Sequence, residues 1–265
     1  MSDLSRRDVL RGAGSVAALG ALAAALPRHA VAAEATGALS GICLSMLYPG
    51  GKGRFDSDRF RDKHLPLIRG IYGESVERIE LRVAPPPARR SVSAYSAPPP
   101  AYLAAVNLWI RKIDEFGKHT AESGQQIQAD LLKVSQITPF VQYDQTLSLT
   151  GESRADVPVG TEVASTFFPN REGGRWDAKY FVDKYLPKVT EVYGKDALRR
   201  IEVSQGRTGQ GGVKAALIGS SHLYIRDRAA FDAAGRKGGM QLFQEAPNYT
   251  DIMGVFTLMK VHAAG

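Results

Sequence analysis

The sequence predicts an α+β protein built from two copies of one ferredoxin-like βαββαβ unit, and three observations carry that prediction. A pattern spanning 42–81 recurs over 163–203. The hydrophobic period alternates between strand type and helix type in the same order in both copies. Glycine and proline fall at matching places between those segments.

The repeat survives residue by residue. Pro49, Gly53, Arg54, Asp56, Phe60, Asp62, Lys63, Leu65, Pro66, Tyr72 and Gly73 meet Pro169, Gly174, Arg175, Asp177, Phe181, Asp183, Lys184, Leu186, Pro187, Tyr193 and Gly194, with one residue inserted before the glycine. Asn107-Leu108-Trp109-Ile110-Arg111 with Phe116 meets His222-Leu223-Tyr224-Ile225-Arg226 with Phe231. Ile137 to Gln142 falls opposite the region from Tyr249 to Val255, so the chain reads as a duplication.

In the first unit the periodicity predicts strands near 41–48, 77–84, 102–110 and 139–149, and helices near 57–72 and 113–133. In the second it predicts strands near 162–168, 199–205, 214–226 and 251–261, and helices near 178–194 and 228–244. Asp56 and Asp177 precede the first helix of each unit, where a carboxylate satisfies unpaired amide donors. Gly73 and Gly194 close the same helices. Pro66 and Pro187 lie inside them, and Pro66 removes the donor that the Asp62 carbonyl would accept, so a bend just beyond His64 is expected. The proline-rich 85–100 stretch is expected to be a long loop between strands two and three, with the short glycine-rich 205–212 segment as its counterpart.

Ahead of the units, Ser5-Arg6-Arg7-Asp8-Val9-Leu10 precedes an uncharged Ala/Gly/Leu-rich run from Gly12 to Leu26 and the small residues Ala30-Val31-Ala32. This reads as a twin-arginine signal peptide over 1–32, cleaved near Ala32 or Ala33, with an ordinary secretory signal or an uncleaved anchor as the alternatives. The expected organisation is a signal peptide over 1–32, a first domain over 38–150, a linker over 151–160 and a second domain over 161–263. Export to the periplasm, or secretion, follows through the twin-arginine machinery.

The formal charge of the whole chain is +7, and removing the signal lowers it by 2 to +5. Basic residues are interspersed with acids, as in Asp58-Arg59-Phe60-Arg61-Asp62-Lys63, so no nucleic acid is expected as partner and no membrane for the mature form. Cys43 is the single cysteine, which precludes an intramolecular disulfide and leaves stability to packed cores. The histidines beyond the signal, His64, His119, His222 and His262, are far apart and form no set with ligand spacing, so no metal is expected.

Tyr48-Pro49, Arg54-Phe55-Asp56, His64-Leu65-Pro66, the Pro-Pro-Pro-Ala-Tyr lead-in to the third strand and Pro247-Asn248-Tyr249-Thr250-Asp251 together resemble the EthD family, over nearly the whole mature chain. The resemblance implies a dimeric α/β barrel, in which two ferredoxin-like units set their four-stranded sheets face to face. Here both units would lie in one chain as an intramolecular pseudo-dimer, with further homo-oligomerisation open. It also implies that His64, which precedes Leu-Pro, is a pocket residue.

Phe60, His64, Leu67 or Ile68, and Ile71 share one helix face expected to meet the sheet, where an imidazole could serve as general base or acid. The alternative is a core histidine bonded to a backbone carbonyl. The candidate catalytic residues are His64, Asp56 and Tyr72; the candidate substrate-binding residues are Tyr48, Asn107, Trp109, Tyr185, His222 and Tyr224. Tyr185 replaces the histidine in unit two, so the units are expected to differ in task. The function that follows is that of an exported EthD-like protein, an oxidoreductase or other cofactor-independent acid–base enzyme acting on a small apolar or aromatic compound. The alternative is a non-catalytic periplasmic ligand-binding or structural protein. No cofactor is expected, with haem, which related barrels bind, as the exception.

Overall fold

The computed structural model describes residues 41–51, 53–85 and 100–265. The segment 1–32 expected as a signal peptide and most of the proline-rich 85–100 segment lie outside the described residues. Unit one runs β1 (Ile42–Pro49), α1 (57–72), β2 (Val76–Val83), β3 (Tyr102–Ile110), α2 (Ile113–Val134) and β4 (Phe140–Gly151). Unit two runs β5 (Glu162–Pro169), α3 (178–197), β6 (Leu198–Gly209), β7 (Leu217–Ile225), α4 (Arg228–Gln244), the short α5 (Ala246–Tyr249) and β8 (Val255–Ala264).

Each unit forms an antiparallel sheet in the order fourth, first, third, second strand, the ferredoxin-like order. The sheets face one another, as expected, but they are also joined at both edges: β2 pairs with β8 and β4 with β6, closing an eight-stranded barrel. Closure leaves no free edge among the described strands. It also accounts for the longest departure from the predicted strands. β6 continues to Gly209, through residues expected in the glycine-rich loop, because β4 supplies partners as far as Gln142↔Gly209.

Strand alternation gives the sheet two different faces. Leu44, Met46, Tyr48, Ile79, Leu81, Val106 and Leu108 point outward and join Phe60, Ile68, Tyr72 and Phe116 in an apolar layer beneath the helices. A second such layer in unit two is built on Phe168, Trp176, Phe181, Val189, Ile201 and Val203. Alternate residues, among them Ser45, Glu80, Arg82, Asn107, Glu202 and His222, are buried in the lumen.

In both first helices the expected bend takes a definite form. The turn Phe60–His64 is π-helical, closed by the Leu65 amide donating to the Phe60 carbonyl, and Phe181–Tyr185 repeats it with Leu186. The widened turn ends just before Pro66 and Pro187, where a regular helix would lack a donor. Asp56 and Asp177 cap the helices by accepting from the amides of Arg59 and Tyr180. Gly73 and Gly194 take φ values of 50° and 66° at the other end, the left-handed region that glycine enters readily. The unit ends correspond three residues away from the expected register: the isolated bridges Phe55↔Ser135 and Trp176↔Thr250 are equivalent, which sets Ser135 opposite Thr250.

A Cβ on Gly206 would lie 2.0 Å from the Leu217 carbonyl oxygen, an atom of the neighbouring strand that cannot swing away, whereas one on Gly239 in α4 meets nothing within 4 Å. Gly206→Ala is therefore expected to lower stability by roughly 1–3 kcal/mol, and Gly239→Ala to raise it by about 0.5–1 kcal/mol. Urea unfolding of the two variants checks both signs.

Candidate functional site

His64 is the last residue of the widened turn of α1 and is 1% exposed. Its Nδ1 lies 2.9 Å from Asp130 Oδ2 on α2, and the other oxygen of that carboxylate accepts from Arg59 Nη2 at 3.0 Å. The sequence offered no partner for His64; Asp130 and Arg59 are the residues it missed. A neutral imidazole donating from Nδ1 to a carboxylate keeps its lone pair on Nε2, the arrangement that suits a general base. Burial lowers the His64 pKa despite the opposing pull of Asp130, so the ring is neutral at pH 7. Burial also acts to raise the Asp130 pKa, but the bonds from His64 and Arg59 outweigh it and leave the carboxylate more acidic than usual.

Aromatic rings extend from His64 toward β1. Phe60 is 5.2 Å from the imidazole, Phe55 6.2 Å from Phe60 and Tyr48 4.6 Å from Phe55. Tyr48 is wholly buried and its hydroxyl makes no hydrogen bond among the described residues. Tyr72, two turns beyond His64, is tied up elsewhere: its hydroxyl is 3.1 Å from Thr120 Oγ1 and its ring stacks on Phe116 at 4.4 Å. Asp56 is engaged as the helix cap and in an ion pair with Arg54 at 2.7 Å. Neither Asp56 nor Tyr72 joins the His64–Asp130 pair.

The equivalent place in unit two is filled differently. Tyr185 stands where His64 does, and its ring meets Phe181 at 4.9 Å and Tyr249 at 4.7 Å. Glu245, the counterpart of Asp130, accepts from Lys188 at 2.5 Å and from the Tyr180 hydroxyl at 3.2 Å. A cavity of about 330 Å³ opens beside Lys188, between α3 and α4 and against Val192, Lys237, Gln241 and Leu242.

Asn107, Trp109, His222 and Tyr224, which could have lined either the second side of a His64 pocket or the barrel lumen, are all in the lumen. Asn107 donates to Ser45 Oγ at 2.9 Å and accepts from Arg82, and His222 Nδ1 lies 3.1 Å from Ser165 Oγ. Tyr224 donates to Glu80 at 2.8 Å and Trp109 to Glu202 at 2.7 Å, each bond crossing from one unit to the other. The segment expected as a plain linker contributes Arg154, whose guanidinium enters the lumen 2.8 Å from Glu202 and 5.1 Å from the Trp109 ring centroid. The two carboxylates were legible in principle, because Arg78-Ile79-Glu80 recurs as Arg200-Ile201-Glu202.

Among the described residues no group of three or more His, Cys, Asp or Glu is placed to hold a metal ion. Haem requires an axial donor facing an open slot. His64 and His222 are 1% and 4% exposed, so neither presents the open face that a macrocycle as large as haem requires, and these residues do not fit it.

No family model and no curated protein matches the chain. Solved structures do. An EthD-like protein from Ralstonia eutropha JMP134 is 26% identical over 38% of this chain and 91% of its own, with a TM-score of 0.36. An anthrone oxidase-like protein is 10% identical over 85% of this chain and 93% of its own, with a TM-score of 0.55. A monooxygenase-labelled protein from Fusobacterium nucleatum is 8% identical over 85% of this chain and 94% of its own, with a TM-score of 0.53. The dimeric α/β barrel is the fold of this chain. Its likeness to the EthD-like protein covers a length close to one unit, and its likeness to the other two is one of fold.

The buried titratable groups set opposing pH dependences. Burial, reinforced by Arg82 and Arg200, holds His222 well below its ordinary 6.5, and His64 is also lowered. Below pH 6.5 the unfolded chain therefore binds more protons at these histidines, and stability falls as pH falls. Burial pushes the Asp144 carboxyl from 3.8 up to about 6 despite bonds to Ser45 and Gln142, so between those values the folded state binds the extra proton and stability rises as pH falls. Between about pH 7.5 and 4.5, His222→Gln is expected to lose less stability than the unaltered protein and Asp144→Asn to lose more. Denaturant midpoints at the two pH values check the order.

Proposed function

We propose that the protein is a cofactor-independent acid–base enzyme that removes a proton from a small aromatic compound, with His64 as base and Asp130 as the residue that orients it. The observation that carries this reading is the buried His64–Asp130 contact at 2.9 Å, which directs the basic nitrogen away from the carboxylate. Phe60, Phe55 and Tyr48 make the surroundings of His64 aromatic; Phe55, the one of the three that is partly exposed, is where an aromatic ligand would stack, with the unused Tyr48 hydroxyl buried behind it. The names of the anthrone oxidase-like and monooxygenase-labelled structures favour an oxidative outcome. An acidic aromatic ketone such as anthrone, once deprotonated, reacts with dioxygen to give the quinone and water, with dioxygen as the four-electron acceptor: one of its atoms becomes the new quinone carbonyl oxygen and the other leaves as water. The paired Arg6 and Arg7 ahead of an uncharged run support the proposal that this chemistry takes place outside the cytoplasm.

A second reading, ligand binding without turnover, is supported by the cavity between α3 and α4 of unit two, lined by Lys188, Val192, Lys237 and Gln241.

Anaerobic deuterium exchange at the anthrone methylene isolates the proton-abstraction step, and oxygen uptake under air follows the rest. His64→Gln is expected to slow exchange by roughly 10²- to 10⁴-fold with an unchanged circular dichroism spectrum. Asp130→Asn is expected to slow it and shift its pH profile, because the carboxylate no longer selects the tautomer. Exchange at the unaltered rate in His64→Gln refutes the assignment. Binding of anthrone with no exchange in any form of the protein supports the second reading.

A further inference from the structure

The cavity of about 330 Å³ between α3 and α4 is a groove with an apolar floor and a charged mouth. Val192 of α3 and Ala234, Gly238 and Leu242 of α4 line the floor, where Leu242 is buried and the other three are half-buried. The helices touch there: a Cβ on Gly238 would lie 2.7 Å from Val192 Cγ1, so glycine is what lets them approach. The mouth carries Lys188 and Glu191 from α3 and Lys237 and Gln241 from α4. On each helix the lining positions recur at i, i+3 and i+4, so each gives one stripe to the groove.

The charges at the mouth are divided between the helices. Lys188 is neutralised by Glu245 at 2.5 Å. Glu191 and Lys237 line the same groove from opposite sides, yet among the described residues neither makes an ion pair or a hydrogen bond, with the other or with anything else. Unit one lacks this arrangement. On the correspondence that matches Tyr185 to His64 and Glu245 to Asp130, Lys188, Glu191 and Lys237 replace Leu67, Gly70 and Glu122, and Ala234 and Gly238 replace the larger His119 and Ser123. The apolar floor is retained, with Val192 and Leu242 for Ile71 and Ile127. On these walls unit two has lost bulk and gained opposed charges.

We infer that this groove binds a small zwitterion with an apolar side chain, an α-amino acid of leucine or phenylalanine size, its carboxylate toward Lys237, its ammonium toward Glu191 and its side chain on Val192 and Leu242. An anion alone would meet the like charge of Glu191, and a cation alone that of Lys237; a zwitterion answers both. The volume falls at the small end of ligand pockets, which suits a molecule of that size. Glu191 and Lys237 are exposed, so each charge contributes little and the affinity is weak. The inference rests on the ligand-binding cavity of the second reading and is independent of His64.

L-Phenylalanine is the probe. Titrated at millimolar concentration into isotope-labelled protein, it is expected to shift the amide resonances of α3 and α4 around the groove. Lys237→Gln and Glu191→Gln are each expected to weaken binding by about two- to fivefold. The same loss is expected for N-acetyl-L-phenylalanine, which lacks the ammonium, and for L-phenylalaninamide, which lacks the carboxylate. Ala234→Leu, which fills the groove, is expected to abolish the shifts. Lys237→Gln is expected to leave deuterium exchange at anthrone as it is, which keeps this test apart from that of His64. An absence of shifts in α3 and α4, or undiminished binding by Ala234→Leu, overturns the site. Affinity for either modified probe equal to that for L-phenylalanine overturns the zwitterion.

Discussion

The barrel depends on two bonds that cross between the units. Tyr224 of unit two donates to Glu80 of unit one, and Trp109 of unit one donates to Glu202 of unit two. Trp109 and Tyr224 occupy equivalent positions on the third strands, and Glu80 and Glu202 equivalent positions on the second, so the contact is made twice with the roles of the units exchanged. Without the other unit each aromatic donor would lose its buried acceptor and each carboxylate its shortest bond. A half barrel would expose the edges of β2, β4, β6 and β8 as well. Ion pairing in so dry an interior is weak evidence of net stability, but removing one member leaves the other buried and uncompensated, which penalises any wrong association of the two sheets.

That interior also shows why one part of the structure was legible in the sequence and another was not. Repetition, cap residues, the helix prolines and the strand–helix order depend on local chemistry, and each can be read without knowing what lies across the fold. The direction of the strand faces cannot. Arg78-Ile79-Glu80-Leu81-Arg82 has the alternation of a strand with one face in solvent, yet Glu80 and Arg82 are 0% exposed because the barrel closes over them. With helices outside and a lumen inside, both faces are buried, and polarity no longer marks the outside. The same ambiguity placed Trp109 and His222 as readily beside His64 as in the lumen.

His64 stood out through its place in the repeat and through its resemblance, whereas its partner was hidden by distance along the chain. Asp130 lies 66 residues away, on a long helix with several other acids, and only the packing of α1 against α2 singles it out. Arg154 was missed for a different reason. A segment rich in small and polar residues reads as a tether, but its arginine passes inward because Glu202 and the Trp109 face together form a site for a guanidinium.

The two units have kept the same scaffold and changed what it holds. Both have the widened turn, the aspartate cap and a carboxylate on the second long helical segment. In unit one that carboxylate orients an imidazole; in unit two it holds a lysine and a tyrosine hydroxyl, while Tyr185 and Tyr249 fill the space with rings. A duplicated chain can diverge in this way because the barrel's closure is set in the lumen, on the opposite face of the sheet from the helix layer. The crossed bonds require both units to be present, but they place no demand on which side chain follows the widened turn. Selection on unit one's chemistry can therefore act on His64 and Asp130 without disturbing the contacts that hold the two halves together.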